Sequence, residues 1–232
     1  MSGSEIDRRD GSGRADVAAF LDQARRVAPP QAGTGGRLVF ALDATLSRQP
    51  TWDLACTLQG EMFDAARRAG GLEVQLVYFR GLGEARASPW VRDAGALGRA
   101  MSGIACRGGL TQIGRVLDHV GRAAARAPVA ALAYVGDAME EEIDVLAAGA
   151  GPLALRGVRA FMFLEGADPA ARRGFGEIAR ITGGALLPFD RGAADELRAL
   201  LGAVATYAAG GRAALEAART GAARRLLADL RP

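Results

Sequence analysis

Five oxygen-bearing side chains stand in three short segments whose composition suits a divalent cation. Asp43, Thr45 and Ser47 alternate in one segment, Thr111 follows a pair of glycines, and Asp137 follows an apolar run. Carboxylate and hydroxyl oxygens are the ligands that Mg²⁺ and Mn²⁺ prefer. Two carboxylates balance the charge of such an ion, and the neutral hydroxyls leave it able to attract an outside carboxylate. The sequence therefore predicts a cation site if the three segments meet in the fold.

The elements that must position these side chains are short apolar runs alternating with amphipathic stretches. We predict strands at 37–44, 74–81, 129–137, 158–166 and 185–189. We predict helices at 53–69, 92–102, 111–126, 138–148, 169–182, 193–209 and 212–230. This alternation is typical of an α/β fold, with a doubly wound, mostly parallel central sheet and helices on both faces. The Pro188 imide cannot donate to a ladder, so 185–189 is predicted to be an edge strand.

The carboxyl ends of the strands carry the information about function, because open parallel sheets bind ligands there. Asp43 ends the first predicted strand and Asp137 ends the third. Thr111 begins the helix between them. If the strands that end in Asp43 and Asp137 are neighbours, all three segments converge on one spot.

The chain of 232 residues divides into three parts on composition. Residues 1–36 are predicted to be a disordered segment, a short amphipathic helix at 14–27 and a Pro/Gly linker. Residues 37–209 are predicted to form one domain. Residues 210–232 are predicted to be a C-terminal helix that packs on this domain or extends from it.

The motif set resembles the von Willebrand factor type A (VWA) domain, in a bacterial cytoplasmic form, and its metal-ion-dependent adhesion site (MIDAS). That site has the pattern Asp-x-Ser-x-Ser, then a Thr and an Asp on separate loops. Here Asp43-x-Thr45-x-Ser47, Thr111 and Asp137 follow it in order. The departure is Thr45 in place of the first Ser, which keeps a hydroxyl. The stretches 108–120 and 178–201 also resemble the family, and the resemblance spans about 37–205.

The resemblance implies a role for each residue. Thr45 and Ser47 would ligate the ion directly, Thr111 would do so in an open state, and Asp43 and Asp137 would act through water. The remaining position would take a Glu or Asp of a protein partner. The implied function is a metal-dependent interaction module, not an enzyme, that holds Mg²⁺ or Mn²⁺. Similar bacterial domains work beside ATPases or in assembly complexes, which gives the class of partner expected.

Several other interpretations remain open or are disfavoured. A VWA scaffold with a vestigial metal site is the main alternative. A phosphatase-like hydrolase is less favoured, because it needs a second Asp where Thr45 stands and a Lys, and the chain contains no Lys. His119 is the only histidine, which argues against zinc chemistry and a Ser-His-Asp triad.

Composition excludes further classes of protein. The net charge is +3, and the Arg pairs stand beside acidic residues on predicted helices, so no nucleic-acid partner is expected. No apolar run reaches about 18 residues, which excludes a transmembrane helix and gives no reason to expect a membrane partner. The two cysteines and the absence of a secretory signal predict a reduced, cytoplasmic protein.

Overall fold

The computed structural model of the chain describes residues 35–190 and 193–230. The predicted helix at 14–27 lies outside the described residues. None of the described helices combines the length and the apolar character needed to cross a membrane.

A six-stranded sheet forms the centre of the fold. Its strands are β1 Gly36–Asp43, β2 Leu72–Arg80, β3 Glu84–Ala87, β4 Ala131–Gly136, β5 Arg159–Glu165 and β6 Ala185–Phe189. The spatial order is β3-β2-β1-β4-β5-β6, and only β3 runs antiparallel to its neighbour. β1 pairs with β4, so the two strands predicted to carry the site acids are neighbours. β6 lies at an edge, as the proline in it requires.

Seven helices are described around this sheet. They are α1 Gln49–Arg67, α2 Ala94–Ser102, α3 Ile113–Arg126, α4 Ile143–Leu155, α5 Pro169–Thr182, α6 Ala194–Ala218 and α7 Gly221–Asp229, and one 3₁₀ turn, Leu46–Arg48, precedes α1. The α/β class with helices on both faces of a mostly parallel sheet is thereby confirmed.

Alternation along the strands builds two core layers. In β1, Phe40 and Leu42 face the side covered by α1, α2, α6 and α7, whereas Val39 and Ala41 face α3, α4 and α5. All four side chains are at most 2% exposed. Burying a large aliphatic or aromatic side chain stabilises the fold by about 1.5–3 kcal/mol, so both layers fix the strand order. The site residues at the strand ends therefore stand on a rigid base.

The main differences from the predicted elements lie in β3, α4 and the C-terminal helices. β3 was not predicted, because its sequence EARA is short, half polar and lacks an apolar alternation. α4 begins at Ile143 instead of 138 and continues through Gly149 and Pro152, which favour a break in sequence terms. α6 is kinked at Gly210 and Gly211, whose backbone is not helical, in agreement with the break predicted between 209 and 212. The predicted helix at 212–230 is divided again at Arg219, which adopts a left-handed conformation with φ of 51°.

Candidate metal centre

The loop after β1 carries the first three predicted ligands and is held by hydrogen bonds within itself. The Thr45 backbone N–H donates to Asp43 Oδ1 at 2.7 Å, and the hydroxyl oxygens of Thr45 and Ser47 are 3.4 Å apart. Neighbouring segments fix the loop through Ala44, whose N–H donates to Phe79 and whose carbonyl accepts from Arg107, both at 3.0 Å. Asp43 and Thr45 are buried, whereas Ser47 is exposed. The motif therefore presents its last hydroxyl to the surface.

Asp43 is a buried acid whose charge is only partly offset. Burial raises the pKa of its carboxyl from 3.8 to about 6, and the Asp137 charge adds to this rise. The hydrogen bonds from Thr45 and the Arg48 charge act in the opposite direction and do not cancel it. Because burial outweighs these favourable contacts, a further cation nearby would stabilise the ionised form of the Asp43 carboxyl.

Arg48 joins Asp137 to the first loop. Its guanidinium Nη1 lies 3.7 Å from Asp137 Oδ2 and also donates to Glu165, which accepts a second hydrogen bond from the Thr51 hydroxyl. Arg48 is only 1% exposed, and its Nε has no hydrogen-bond partner among the described residues. A buried arginine therefore ties the ends of β4 and β5 to the turn that begins α1.

Thr111 is buried and is held by the segment that follows Asp137. Its N–H donates to Glu140 Oε2 at 2.6 Å, and its hydroxyl accepts from the Glu140 N–H at 3.0 Å. The hydroxyl also donates to Glu141, which accepts the Ile113 N–H as well. These contacts leave one lone pair of the Thr111 oxygen for a further partner.

Glu141 takes the place of an N-cap for α3. The residue at the cap position, Gln112, makes no side-chain hydrogen bond to the helix. Glu141 supplies that acceptor from another loop and places a negative charge at the positive end of the helix. The helix that follows the acidic segment Glu140–Glu142, α4, begins at Ile143.

Tyr134 in β4 lies beneath the two halves of the site. Its hydroxyl is fully buried, and burial raises the pKa of the phenol well above its usual value. The charges of Asp43 and Glu141 raise it further, so both carboxylates act on the same hydroxyl. The Arg107 N–H donates to the Ala44 carbonyl at 3.0 Å, which places the segment that leads to Thr111 beside the first loop.

The five predicted residues thus fall at one edge of the sheet, with different contacts. Asp43, Thr45 and Ser47 contact one another, Asp137 reaches them through Arg48, and Thr111 contacts the Glu140–Glu141 segment. The sequence patterns do not predict the contacts that Arg48, Glu165 and Glu141 make at this edge. Of these three residues, only Glu165 has a sequence feature that could have indicated the site: like Asp43, it is an acid at the end of an apolar strand.

The donor set fits Mg²⁺ or Mn²⁺. All five side chains offer oxygen, and the carboxyl of Asp43 lies in a buried position that a cation would stabilise. Among the described residues, no three Asp, Glu, His or Cys side chains could hold a metal ion by themselves. An ion at this edge would therefore depend on the hydroxyls, and ligation by the five residues stays a prediction.

Cys106 and His119 are two further side chains of chemical interest among the described residues. Burial raises the pKa of the Cys106 thiol to about 11, and the nearby Asp43 raises it further. A thiol with this pKa stays protonated at neutral pH and is a poor nucleophile. His119 Nε2 in α3 lies 2.8 Å from Gln75 Oε1 in β2.

Comparison with solved structures identifies the fold. "von Willebrand factor type A from Catenulispora acidiphila" matches with a TM-score of 0.56 at 19% identity, over 74% of this chain and 43% of that one. The SpRpn10 VWA domain matches with a TM-score of 0.57 at 14% identity, over 71% of this chain and 94% of that one. Proximal thread matrix protein 1 from the mussel byssus, with a zinc-occupied MIDAS motif, gives 0.52 at 15% identity, over 75% of this chain and 47% of that one.

These likenesses show that the chain has the fold of VWA domains. The chain spans less than half the length of the Catenulispora protein. No protein-family model and no curated protein matches the sequence.

Proposed function

We propose that this chain is a metal-dependent protein-interaction module whose MIDAS-type site binds an acidic side chain of a protein partner. The observation that carries the proposal is the edge formed by the ends of β1 and β4, where a buried acid and an exposed hydroxyl share one loop. The mussel protein, which shares the fold, has a zinc-occupied MIDAS motif, and this supports a metal site in the chain. Mg²⁺ or Mn²⁺ would be held by Asp43, Thr45, Ser47, Thr111 and Asp137.

The residues of this chain would have distinct tasks in that site. A bound divalent ion supplies an electrophilic position for a Glu or Asp of the partner. Ser47 lies at the surface, so its hydroxyl stands where a partner can reach. Asp43 and Asp137 would supply negative charge from below, while Arg48 holds Asp137 towards the first loop. We propose no enzymatic activity, and we expect a cytoplasmic partner such as an ATPase or a component of an assembly complex.

A second candidate is a VWA scaffold without a working metal site. Arg48 favours it, because its guanidinium already places a positive charge 3.7 Å from Asp137 Oδ2. In that case the fold would bind its partner through another surface, and removal of metal would have no effect.

Affinity capture with the tagged full chain separates the two candidates. The chain would be incubated with lysate of the source cells in Mg²⁺ or in chelator. The Ser47→Ala variant would be compared with Ser102→Ala, a change at another exposed serine. We expect one partner to be retained in Mg²⁺ by the parent and by Ser102→Ala, and to be lost in chelator and with Ser47→Ala. Equal retention under all conditions would contradict the metal-dependent function and favour the vestigial scaffold.

A further inference from the structure

A stripe of basic side chains runs along the side of α3 that borders β2 and β3. Arg115, His119, Arg122 and Arg126 are spaced four, three and four residues apart, which places them on one side of a helix. The three arginines are exposed, and His119 is partly buried. At about 1.5 Å of rise per residue, the stripe is about 16 Å long.

The stripe borders a groove between α3 and the edge of the sheet. Two adjoining cavities of about 300 and 340 Å³ make up this groove and share His119 and Arg122. The first is also lined by Arg115 of the stripe and Arg86 of β3, and the second by Arg126 and Arg37. Because Arg37 is near the start of β1 and α3 begins at the opposite end of the sheet, the groove follows the strands.

The groove carries an excess of positive charge. Five arginines line it, and Asp118 is its one acidic lining residue among those described. Arg37 and Arg86 have acidic partners, Glu73 and Glu84. The described residues offer no ion-pair partner to Arg122 or Arg126, the two arginines at the middle and far end of the stripe.

His119 lies in this groove, and its pKa is lowered by two causes. Burial lowers the pKa of His119, and the charges of Arg122 and Arg126 lower it further. A neutral ring remains at physiological pH, 2.8 Å from Gln75 Oε1. The arginines on either side of His119 are thus left to bind an anion.

We propose that this groove binds an acidic peptide segment of the partner whose carboxylate is captured at the metal centre. α3 begins two residues after Thr111, and Arg115 reaches the Gly83 carbonyl at 2.8 Å, so the stripe starts beside the metal-binding edge. A length of about 16 Å accommodates about five residues of extended peptide. Guanidinium groups pair with carboxylates in bidentate geometry. The inference rests on the proposed function for the identity of the partner.

A peptide fits the groove better than a single-stranded nucleic acid. Sequence-tolerant binding of single strands uses aromatic rings on which bases stack. Trp90 is the aromatic residue of the groove, and the Arg37 guanidinium lies 4.9 Å from its ring centroid. That face of the ring is therefore engaged within the chain, while the arginines remain available for carboxylates.

The test uses a fluorescein-labelled peptide of ten glutamates and the full chain, with binding followed by anisotropy in about 0.1 M salt and chelator. The variant Arg122→Gln/Arg126→Gln would be compared with Arg172→Gln/Arg173→Gln, which removes the same charge from two exposed positions on α5. We expect the α3 variant to weaken binding at least about tenfold, and the α5 variant by less than about twofold, because exposed charges are screened beyond about 10 Å.

Equal weakening by the two variants would overturn the proposal, since binding would then follow net charge alone. A single-stranded oligonucleotide of ten phosphates forms the second arm. The peptide proposal is wrong, and the groove is a nucleic-acid site, if the oligonucleotide binds at least tenfold more tightly than the peptide and the α3 variant abolishes this binding.

Failure of this inference is distinguishable from failure of the proposed function. Chelator removes the contribution of the metal, so the effect of the α3 variant on the peptide does not depend on the ion. If the α3 variant weakens peptide binding while Ser47→Ala has no effect on partner capture, the groove proposal is supported and the metal-dependent function is wrong. If the α3 variant leaves peptide binding unchanged while Ser47→Ala abolishes partner capture, the metal-dependent function is supported and the groove proposal is wrong.

Discussion

Replacing Asp43 by Asn should stabilise the metal-free protein at neutral pH. The carboxyl is 3% exposed, and burial dominates its environment, raising its pKa from 3.8 to about 6. Asn has the same shape and keeps an Oδ1 that can accept the Thr45 N–H. The change therefore removes a buried charge and leaves the hydrogen bond of the loop in place.

The size and sign of the effect follow from proton linkage. A rise of about two pKa units at 1.36 kcal/mol each gives at most about 3 kcal/mol. Between about pH 4 and 6, the native carboxyl holds a proton that the unfolded chain has released. The stability that this proton provides is full below pH 4 and is lost as the pH rises to 6. Above pH 6, the Asp43→Asn variant should therefore melt about 6–12 °C higher than the parent.

Thermal unfolding in chelator at pH 4 and pH 7.5 measures this effect. Asp64→Asn is a matched control, because its side chain is 69% exposed on α1, and it should change the melting temperature little at either pH. The reasoning is refuted if Asp43→Asn gives no stabilisation at pH 7.5, or equal stabilisation at both pH values. Added Mn²⁺ should raise the melting temperature of the parent and not that of Asp43→Asn.

The other predictions concern the contacts that hold the site together. Arg48→Met removes the buried guanidinium that pairs with Glu165 and should lower the free energy of unfolding by about 3–5 kcal/mol in urea titrations. Arg67→Met, at an exposed pair, should change it by less than about 1 kcal/mol, and equal effects would contradict the buried ion pair. Glu141→Ala removes the acceptor for the start of α3 and should cost about 1–2 kcal/mol in the same assay, while the exposed Glu142→Ala should cost little. A neutral Glu141→Ala would show that the helix end is satisfied in another way.

Much of the fold could be predicted because its signals are local. The apolar run that becomes β1 is buried on both faces, and an uninterrupted run of this kind is typical of a central parallel strand. α5 ends at Gly183, whose φ of 65° is the left-handed conformation that glycine adopts most readily. β6 and α5 have the bounds that the sequence predicts. β3 escaped prediction because its partner β2, and not its own composition, makes it a strand.

The candidate site was predictable in part for the same reason. Asp43, Thr45 and Ser47 form a local pattern, and the pairing of β1 with β4 brings Asp137 to the same edge. The contacts of Arg48 and Glu141 bridge residues far apart in the chain: Arg48 binds Glu165, 117 positions away, and Glu141 binds Ile113, 28 positions away. No periodicity records such pairings, since they depend on how loops approach each other after the sheet has formed.

Titration of the metal-free chain with Mn²⁺ by calorimetry tests the central claim most directly. The parent and Ser102→Ala should each bind one saturable ion, and Ser47→Ala should bind it at least about tenfold more weakly while its metal-free melting temperature stays unchanged. Ser47 is exposed, so its loss should affect the ion and not the fold. If the parent binds no saturable ion, or if Ser47→Ala binds it as tightly as the parent, the five-residue metal centre is wrong.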